Sequence, residues 1–437
     1  MVAAPRVCGV PTRDRRVRRR LPAVQSRGGH AMTAATASRP PSVLAIADSE
    51  SYLKWAAQLL DSLDGFTTRL ALVRTPILPT PSQIEGALAG SGRQPRDVPV
   101  LDRRGIADTI RASGCDVVLA AATGPVVQQV YGSAARMDPR PALVSGLPGV
   151  GLPATRKGQR YRRLGDAFLT HSHREAREYR RVMAALRIPA EVVVTRLPML
   201  RSEGPPVCTT APGQVRSLVF APQAKVPPEA ADRIRIVRTL SAWAEAADDR
   251  EVVIKLRSRE GEQETHHDAH PYRDLVAQLR EEGTLSSRVR LAYGPMSDYL
   301  VAGAGLVTVS STAALESLDR GLPTAIISDF GVGPGMLNEA FAGSGTERTL
   351  AQIAADDMPF PTATWLEQNY FHPRSTDCAD ALRLLAVRAR ERQLPDLSRE
   401  SRRQDLRRIR AELRTAAPAP VVRGYRLLSG RCGRSRR

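Results

Sequence analysis

Aromatic residues make up only 4% of this chain, so ring stacking on bases or sugars cannot be a widespread device in it. Cysteine is scarce too. Cys8, Cys115, Cys208, Cys378 and Cys432 are scattered, with no CxxC pair. That argues against a disulfide framework and a structural zinc site, and it suits a reducing, cytoplasmic setting. No apolar run reaches the length of a membrane-spanning helix. The arginine-rich N-terminus has no apolar segment behind it, so it does not read as a secretory signal. A Walker loop, H-E-x-x-H and G-x-S-x-G are all missing. Their absence speaks against P-loop NTPases, zincins and α/β-hydrolases.

What is abundant is arginine. The net charge of +19 over 437 residues looks like a nucleic-acid signal until it is located. Residues 1–31 and 399–437 together hold about +17 of it, which leaves a body close to neutral. A duplex-reading fold carries its charge on folded elements, so no specific nucleic-acid partner is expected. Met32 opens MTAATASRPPSVLAIADSE, which reads as a normal start. Residues 1–41 are therefore read as a disordered basic leader and 396–437 as an arginine-rich tail. Ser398–Leu413 would form a charged helix with little apolar face to bury.

Between the tails, short β-branched apolar runs alternate with helical patterns, which indicates parallel, doubly wound sheets. Val43–Ala47 leads into Asp48-Ser49-Glu50-Ser51 and a helix with Leu53, Ala56, Leu59, Leu60 and Leu63 on one face. Asp48 or Ser49 would cap it. Residues 198–214 are the most linker-like internal stretch, and a second β–α series follows them. The expected organisation is a domain over 42–200, a linker over 201–214, a second domain over 215–375 and a closing helix over 376–395. Two Rossmann-like domains would then face each other across a cleft. Ligands in such sheets bind beyond the carboxyl ends of the strands.

Gly305–Pro323 (GLVTVSSTAALESLDRGLP) is the most informative stretch. A buried strand runs into Ser310-Ser311-Thr312 and then a helix that begins at the Thr312 cap. Free N–H groups, the helix dipole and three hydroxyls suit a phosphate there. Lys255 and Arg257 end a strand on the same edge and would neutralise a diphosphate. Glu316, one turn into the helix, would accept from ribose hydroxyls, or merely complement the dipole. In the first domain, Asp48 and His171 each end a strand, so each is a candidate general base facing an acceptor hydroxyl. Ser49 and Glu50 lie on the same acceptor side. The segment 145–163 contains Gly149-Val-Gly151-Leu-Pro-Ala154, but Pro153 speaks against a dinucleotide fingerprint. It reads as a mobile basic loop carrying Arg156, Lys157, Arg160, Arg162 and Arg163, either solvated or near an anionic ligand. His266, His267 and His270 sit beside acids with no helix expected, so they read as a solvated loop and no metal is expected.

With strands and turns placed, the chain resembles a two-domain GT-B glycosyltransferase, and more narrowly an uncharacterised glycosyltransferase family of high-GC bacteria. The resemblance rests on Ala47–Trp55, on Leu147-Pro-Gly149 with Asp166–Ser172, and above all on Val309–Ser317 followed by Gly321-Leu-Pro323. The last segment is similar to the helix start of lipid-A disaccharide synthase and of capsule and teichoic-acid polymerases, where it contacts the donor's diphosphate and ribose. Where relatives place K-x-H-P, this chain has Lys255-Leu-Arg257-Ser258, without the histidine. No D-x-D follows a strand, which disfavours the metal-dependent single-domain architecture. The resemblance implies transfer of a sugar from a nucleotide-sugar donor to a cell-envelope or capsular glycan, or to a lipid-linked acceptor, with no cofactor. A nucleotide-sugar epimerase of the same architecture is one alternative. An envelope-associated binding protein, held to anionic membrane by its basic tail at the inner face, is the other.

Overall fold

The computed structural model describes residues 39–201, 204–211, 213–256, 268–373, 377–404 and 406. The first half runs β1 (Ser42–Ala47), α1 (Glu50–Asp61), β2 (Thr67–Val73), α2 (Pro81–Leu88), β3 (Val100–Leu101) and α3 (Ile106–Ser113). It continues with β4 (Val117–Ala121), α4 (Gly124–Ala134), β5 (Ala142–Ser145), α5 (Arg156–Tyr161), β6 (Ala167–Thr170), α6 (His173–Leu186) and β7 (Glu191–Val194). The second half runs β8 (Ser217–Phe220), α7 (Ala230–Glu245), β9 (Glu251–Lys255), α8 (Tyr272–Glu281), β10 (Val289–Ala292), β11 (Ala304–Thr308) and α9 (Ala313–Asp319). It closes with β12 (Thr324–Ile327), β13 (Glu347–Arg348), α10 (Leu350–Ala354), α11 (Ala363–Gln368) and α12 (Asp377–Arg390).

The strands form two parallel sheets, ordered β3-β2-β1-β4-β5-β6-β7 and β10-β9-β8-β11-β12-β13. Each is a doubly wound Rossmann-like sheet, and both lie in one compact unit that begins at Pro40. In each, the strand order reverses direction about the first strand. The switch points therefore fall between β1 and β4 and between β8 and β11, where the loops beyond the carboxyl ends part and leave a crevice. Local chemistry sets the elements. The buried runs of β1 and β4 have helices on both faces, so they are apolar throughout rather than alternating. Leu53, Ala56, Leu59 and Leu60 are buried on α1 as the helical spacing requires. Thr80 caps α2 in a capping box with Gln83, and Ser172 caps α6 through the Glu175 N–H.

Several elements differ from the sequence expectation. Residues 156–161 form a short helix capped by Thr155 instead of a mobile loop, with Gln159 and Arg162 buried. The sequence over 297–302 and around 336–342 reads as two short helices, but the structure has single 3-10 turns at Met296–Asp298, Pro334–Met336 and Glu339–Phe341. The closing helix expected over 376–395 is α12, which ends at Arg390, and α11 precedes it as a separate short helix. Short β3 and β13 were too brief to show a period. The charged helix expected from Ser398 is present over residues 398–404, the rest of its range lying largely outside the described residues, and it is docked: Ser401 is buried with its hydroxyl donating to the Gly132 carbonyl. Small polar residues dock this segment, which a search for an apolar face does not find. Arg257, His266 and His267 lie outside the described residues. Among the described residues no helix is long and apolar enough to cross a membrane.

The chain returns to its first domain through α12, which packs against β4, β5 and β7. Arg390 grips Asp116 with Nη2 at 2.7 Å and Nε at 2.9 Å, at the amino end of β4. Asp116 also accepts from the Ser42 N–H and hydroxyl, each at 2.8 Å. Burial pushes the Asp116 carboxyl up, but the bonds from Arg390 and Ser42 outweigh it and hold the group below its ordinary 3.8. Nearby, Arg140 forks onto Asp166 at 2.8 and 2.9 Å. Because the folded pKa of Asp116 is lowered, its stabilisation is complete above pH 3.8 and is lost as pH falls through the folded value. Asp116→Asn is expected to lose about 3 kcal/mol in urea denaturation at pH 7. Below pH 3.8 the gap to the wild type should narrow.

Candidate active site

Asp48 ends β1, and its Oδ2 reaches across the first switch point to Thr123 beyond β4. It accepts from the Thr123 N–H at 3.0 Å and from its hydroxyl at 2.5 Å. The residue is fully buried and Oδ1 has no hydrogen-bond partner. Burial raises its pKa, only partly offset by Thr123, Ser49 and the charge of Arg162. Ser49 is the N-cap of α1 and is almost wholly buried, whereas Glu50 is exposed in the first helical turn. A cavity of about 430 Å³ opens here, with Ser49, Ser51, Thr123, Thr155, Lys157 and Arg162 among its lining residues.

His171, at the end of β6, does not face this cavity. It is fully buried, with Nδ1 3.1 Å from the Thr195 carbonyl. Nε2 lies 3.0 Å from Trp55 Nε1 and 2.9 Å from the Leu147 carbonyl. A base needs a ring nitrogen open toward a reactant, and both nitrogens here face protein atoms. In the tautomer that fits these neighbours, Nδ1–H donates to the Thr195 carbonyl and Nε2 accepts from the Trp55 N–H, which gives His171 a positioning place against Trp55.

At the second switch point, between β8 and β11, lies the hydroxyl turn. Ser310 is buried and donates its hydroxyl to the Leu337 carbonyl at 2.5 Å. Ser311, also buried, accepts from the Ala313 N–H at 3.2 Å and so does the capping that the sequence assigned to Thr312. Thr312 has helical backbone angles and makes no side-chain cap bond. Its side chain instead meets the first domain. A Cβ on Gly149 would lie 2.5 Å from Thr312 Oγ1, so only glycine permits the two walls to approach this closely. Lys54 Nζ on α1 pairs with Glu316 Oε1 on α9 at 3.4 Å, a second crossing. Lys255 ends β9 half-buried, on the same sheet edge as the turn. Among the described residues no group of three or more His, Cys, Asp or Glu is placed to hold a metal.

One side chain at this site has no counterpart in the sequence reading. Glu175 on α6 is 1% exposed and, among the described residues, pairs with no cation. It accepts from the Gly151 N–H at 2.7 Å, the His171 N–H at 2.8 Å and the Tyr370 hydroxyl at 2.6 Å. Tyr179 completes the clasp by donating to the Gly151 carbonyl at 2.6 Å. The glycine loop is thereby tied to β6 and to the C-terminal return. The only trace in the sequence is an acid four residues after His171. Lys54 and Thr123 were equally silent, because their partners are 262 and 75 residues away.

Two outcomes follow from this geometry. The raised pKa of Asp48 means that its penalty to stability is absent below pH 3.8, sets in as pH rises and is complete above the folded pKa. Asp48→Asn keeps an acceptor for Thr123 and removes the buried charge. At pH 7 it should be at least as resistant to urea as the wild type, with the advantage vanishing toward pH 3. Gly149→Val should leave the melting temperature within a few degrees, because the loop is anchored elsewhere, yet prevent the approach to Thr312. Small-angle scattering should then show a more open particle.

Solved structures resemble this chain to different degrees, two of them with TM-scores above 0.5. One is a "putative UDP-N-acetylglucosamine 2-epimerase" from Listeria monocytogenes, 13% identical, TM-score 0.53, matching 82% of this chain and 98% of its own. Another is S. aureus MnaA in a UDP co-structure, 9% identical, TM-score 0.52, matching 81% and 98%. An O-GlcNAc transferase mutant from Thermobaculum terrenum matches 87% and 69% at 14% identity and a TM-score of 0.39. No curated protein matches the sequence. The two facing parallel-sheet domains are of the GT-B type. Residues 43–385 match the family described as "Putative glycosyltransferase (DUF6716)", and the chain belongs to that family.

Proposed function

We propose that this protein transfers a sugar from a nucleotide-sugar donor at the second switch point to an acceptor held at the first, with a cell-envelope or capsular glycan as acceptor. The observation that carries this reading is the meeting of the two switch points: Gly149 lies against Thr312, and Lys54 reaches Glu316. The family description supports the reaction class, and the UDP held by the S. aureus structure of the same fold supports a nucleotide donor. In this reading Ser311, Thr312 and the first N–H groups of α9 hold the diphosphate, with Ser310 shaping the turn. Lys255 and Arg257 supply positive charge, and Glu316 exchanges Lys54 for ribose hydroxyls. Donor, acceptor and protein groups then suffice without a metal or cofactor, since fixed dipoles and cations stabilise the leaving diphosphate.

Asp48 is the base in this scheme. Its Oδ1 is unpartnered but covered in this structure; an acceptor entering beside Ser49 would have to uncover it, and Oδ1 then takes the proton of the acceptor hydroxyl, a task its raised pKa suits. The acceptor oxygen bonds to the anomeric carbon as the bond from that carbon to the diphosphate breaks, releasing nucleoside diphosphate. Ser49 and Glu50 border the acceptor. Closure at Gly149 keeps water from competing for the sugar.

The epimerase fold likeness supports a second reading, in which the donor is altered without an acceptor. Incubation of the nucleotide-sugar in heavy water separates the two. Deuterium entering the sugar with no acceptor present marks the epimerase, and its absence with acceptor-dependent release of diphosphate marks the transferase. The donor site is tested by melting with UDP, GDP, CDP, ADP and dTDP. At a hundred times its dissociation constant, the nucleotide that binds should stabilise by about 2.7 kcal/mol. That gain should vanish in the Ser311→Asp, Glu316→Ala double variant. A gain that persists there, or none with any nucleotide, overturns the donor assignment.

A further inference from the structure

Among the described residues, Arg162 is a buried cation without an ion-pair partner. It is 5% exposed, and its guanidinium donates only to neutral oxygens: the Gly158 carbonyl at 3.0 Å, the Ala122 carbonyl at 3.3 Å and the Tyr52 hydroxyl at 3.3 Å. Its Nε has no partner at all. Other nearly buried arginines are treated differently. Arg140 forks onto Asp166, Arg233 lies 2.6 Å from Asp268, and Arg390 grips Asp116. The carboxylate whose field reaches Arg162 is Asp48, which is bound to Thr123 and forms no ion pair with it. A cation taken out of water is tolerated where an anion arrives to meet it.

The place where an anion would arrive is the cavity at the first switch point. Lys157, exposed and with no carboxylate of the described residues within ion-pair distance, lines it together with Arg162. No acidic side chain lines it. Ser51 and Thr155 add hydroxyl donors, and the eleven-residue α4 starts on its wall at Gly124, with Pro125 behind it offering no N–H. Several converging N–H and O–H donors with two cations suit a tetrahedral oxyanion better than a flat carboxylate.

We propose that the acceptor bears a phosphate group and that Arg162 and Lys157 seat it in this cavity, beside Ser49 and Thr123. The proposal rests on the reading of the first domain as the acceptor domain, and it narrows the acceptor from any glycan to a phosphate-bearing one. The phosphate is an anchor and takes no part in bond making. A soluble sugar phosphate and a lipid-linked phosphate share this chemistry.

The test measures binding of glucose 1-phosphate and of dodecyl phosphate below its micelle concentration, by calorimetry, with the full chain saturated with UDP so that the donor site is filled. At least one of them should bind, and the preferred one names the source. Lys157→Gln should weaken that binding by about tenfold or more, the loss of one charge-assisted contact. Arg162→Met should abolish it. Because Arg162 is buried and its replacement can unfold the surrounding loop, the exposed Lys157 carries the decision. No binding of either compound, or equal binding by wild type and Lys157→Gln, overturns the proposal. UDP affinity is read separately in both proteins. If UDP fails to bind, the donor assignment falls, and the phosphate titration is repeated on the UDP-free chain and decides the anion site by itself.

Discussion

A carboxylate with no cation holds this cleft in shape. Glu175 is removed from water and satisfied entirely by N–H and O–H donors from the glycine loop, the end of β6 and the C-terminal return. A buried charge held this way is strongly directional, because each missing donor leaves it exposed to the full cost of desolvation. The loop it anchors places Gly149 against Thr312, and that contact brings the two sheets' switch points together. Behind the loop, the Trp55 N–H donates to His171 Nε2, and His171 in turn donates to the Thr195 carbonyl. The geometry of the candidate site is thus set by groups that touch no reactant.

The two ends of the first sheet do different work. At the amino ends, Asp116 and Asp166 are clamped by Arg390 and Arg140, and α12 is locked onto the domain in which the chain began. At the carboxyl ends, charges are left without ion pairs: Asp48 with one idle oxygen, Arg162 with an idle Nε. Paired charges stabilise, whereas unsatisfied ones in a crevice stand ready for a ligand. This division follows from parallel topology, since only the carboxyl ends open onto a crevice at the reversal of strand order.

Composition alone points the wrong way on charge. Most of the net positive charge lies in the two terminal segments, while the two cations of the cavity contribute almost nothing to the total. What distinguishes Arg162 from the many other arginines is burial and the absence of a carboxylate. Neither property is written in its sequence neighbourhood.

Much of the architecture was legible from local pattern. Continuous apolar runs followed by helical spacing identify parallel strands, because a strand covered on both faces has no polar side to show. The hydroxyl turn at 310–312, the acidic end of β1 and the position of Glu316 were readable for the same reason: the strand-to-helix turn is local. The sequence by itself determined two β–α series and the residues at their strand ends. Only the tertiary structure decided which strand ends meet. It turned His171 inward, gave the capping to Ser311, made residues 156–161 a helix on a cavity wall, and joined Lys54 to Glu316 and Gly149 to Thr312. Those contacts link residues more than 160 positions apart, and their energies depend on distance and burial, which sequence spacing does not encode.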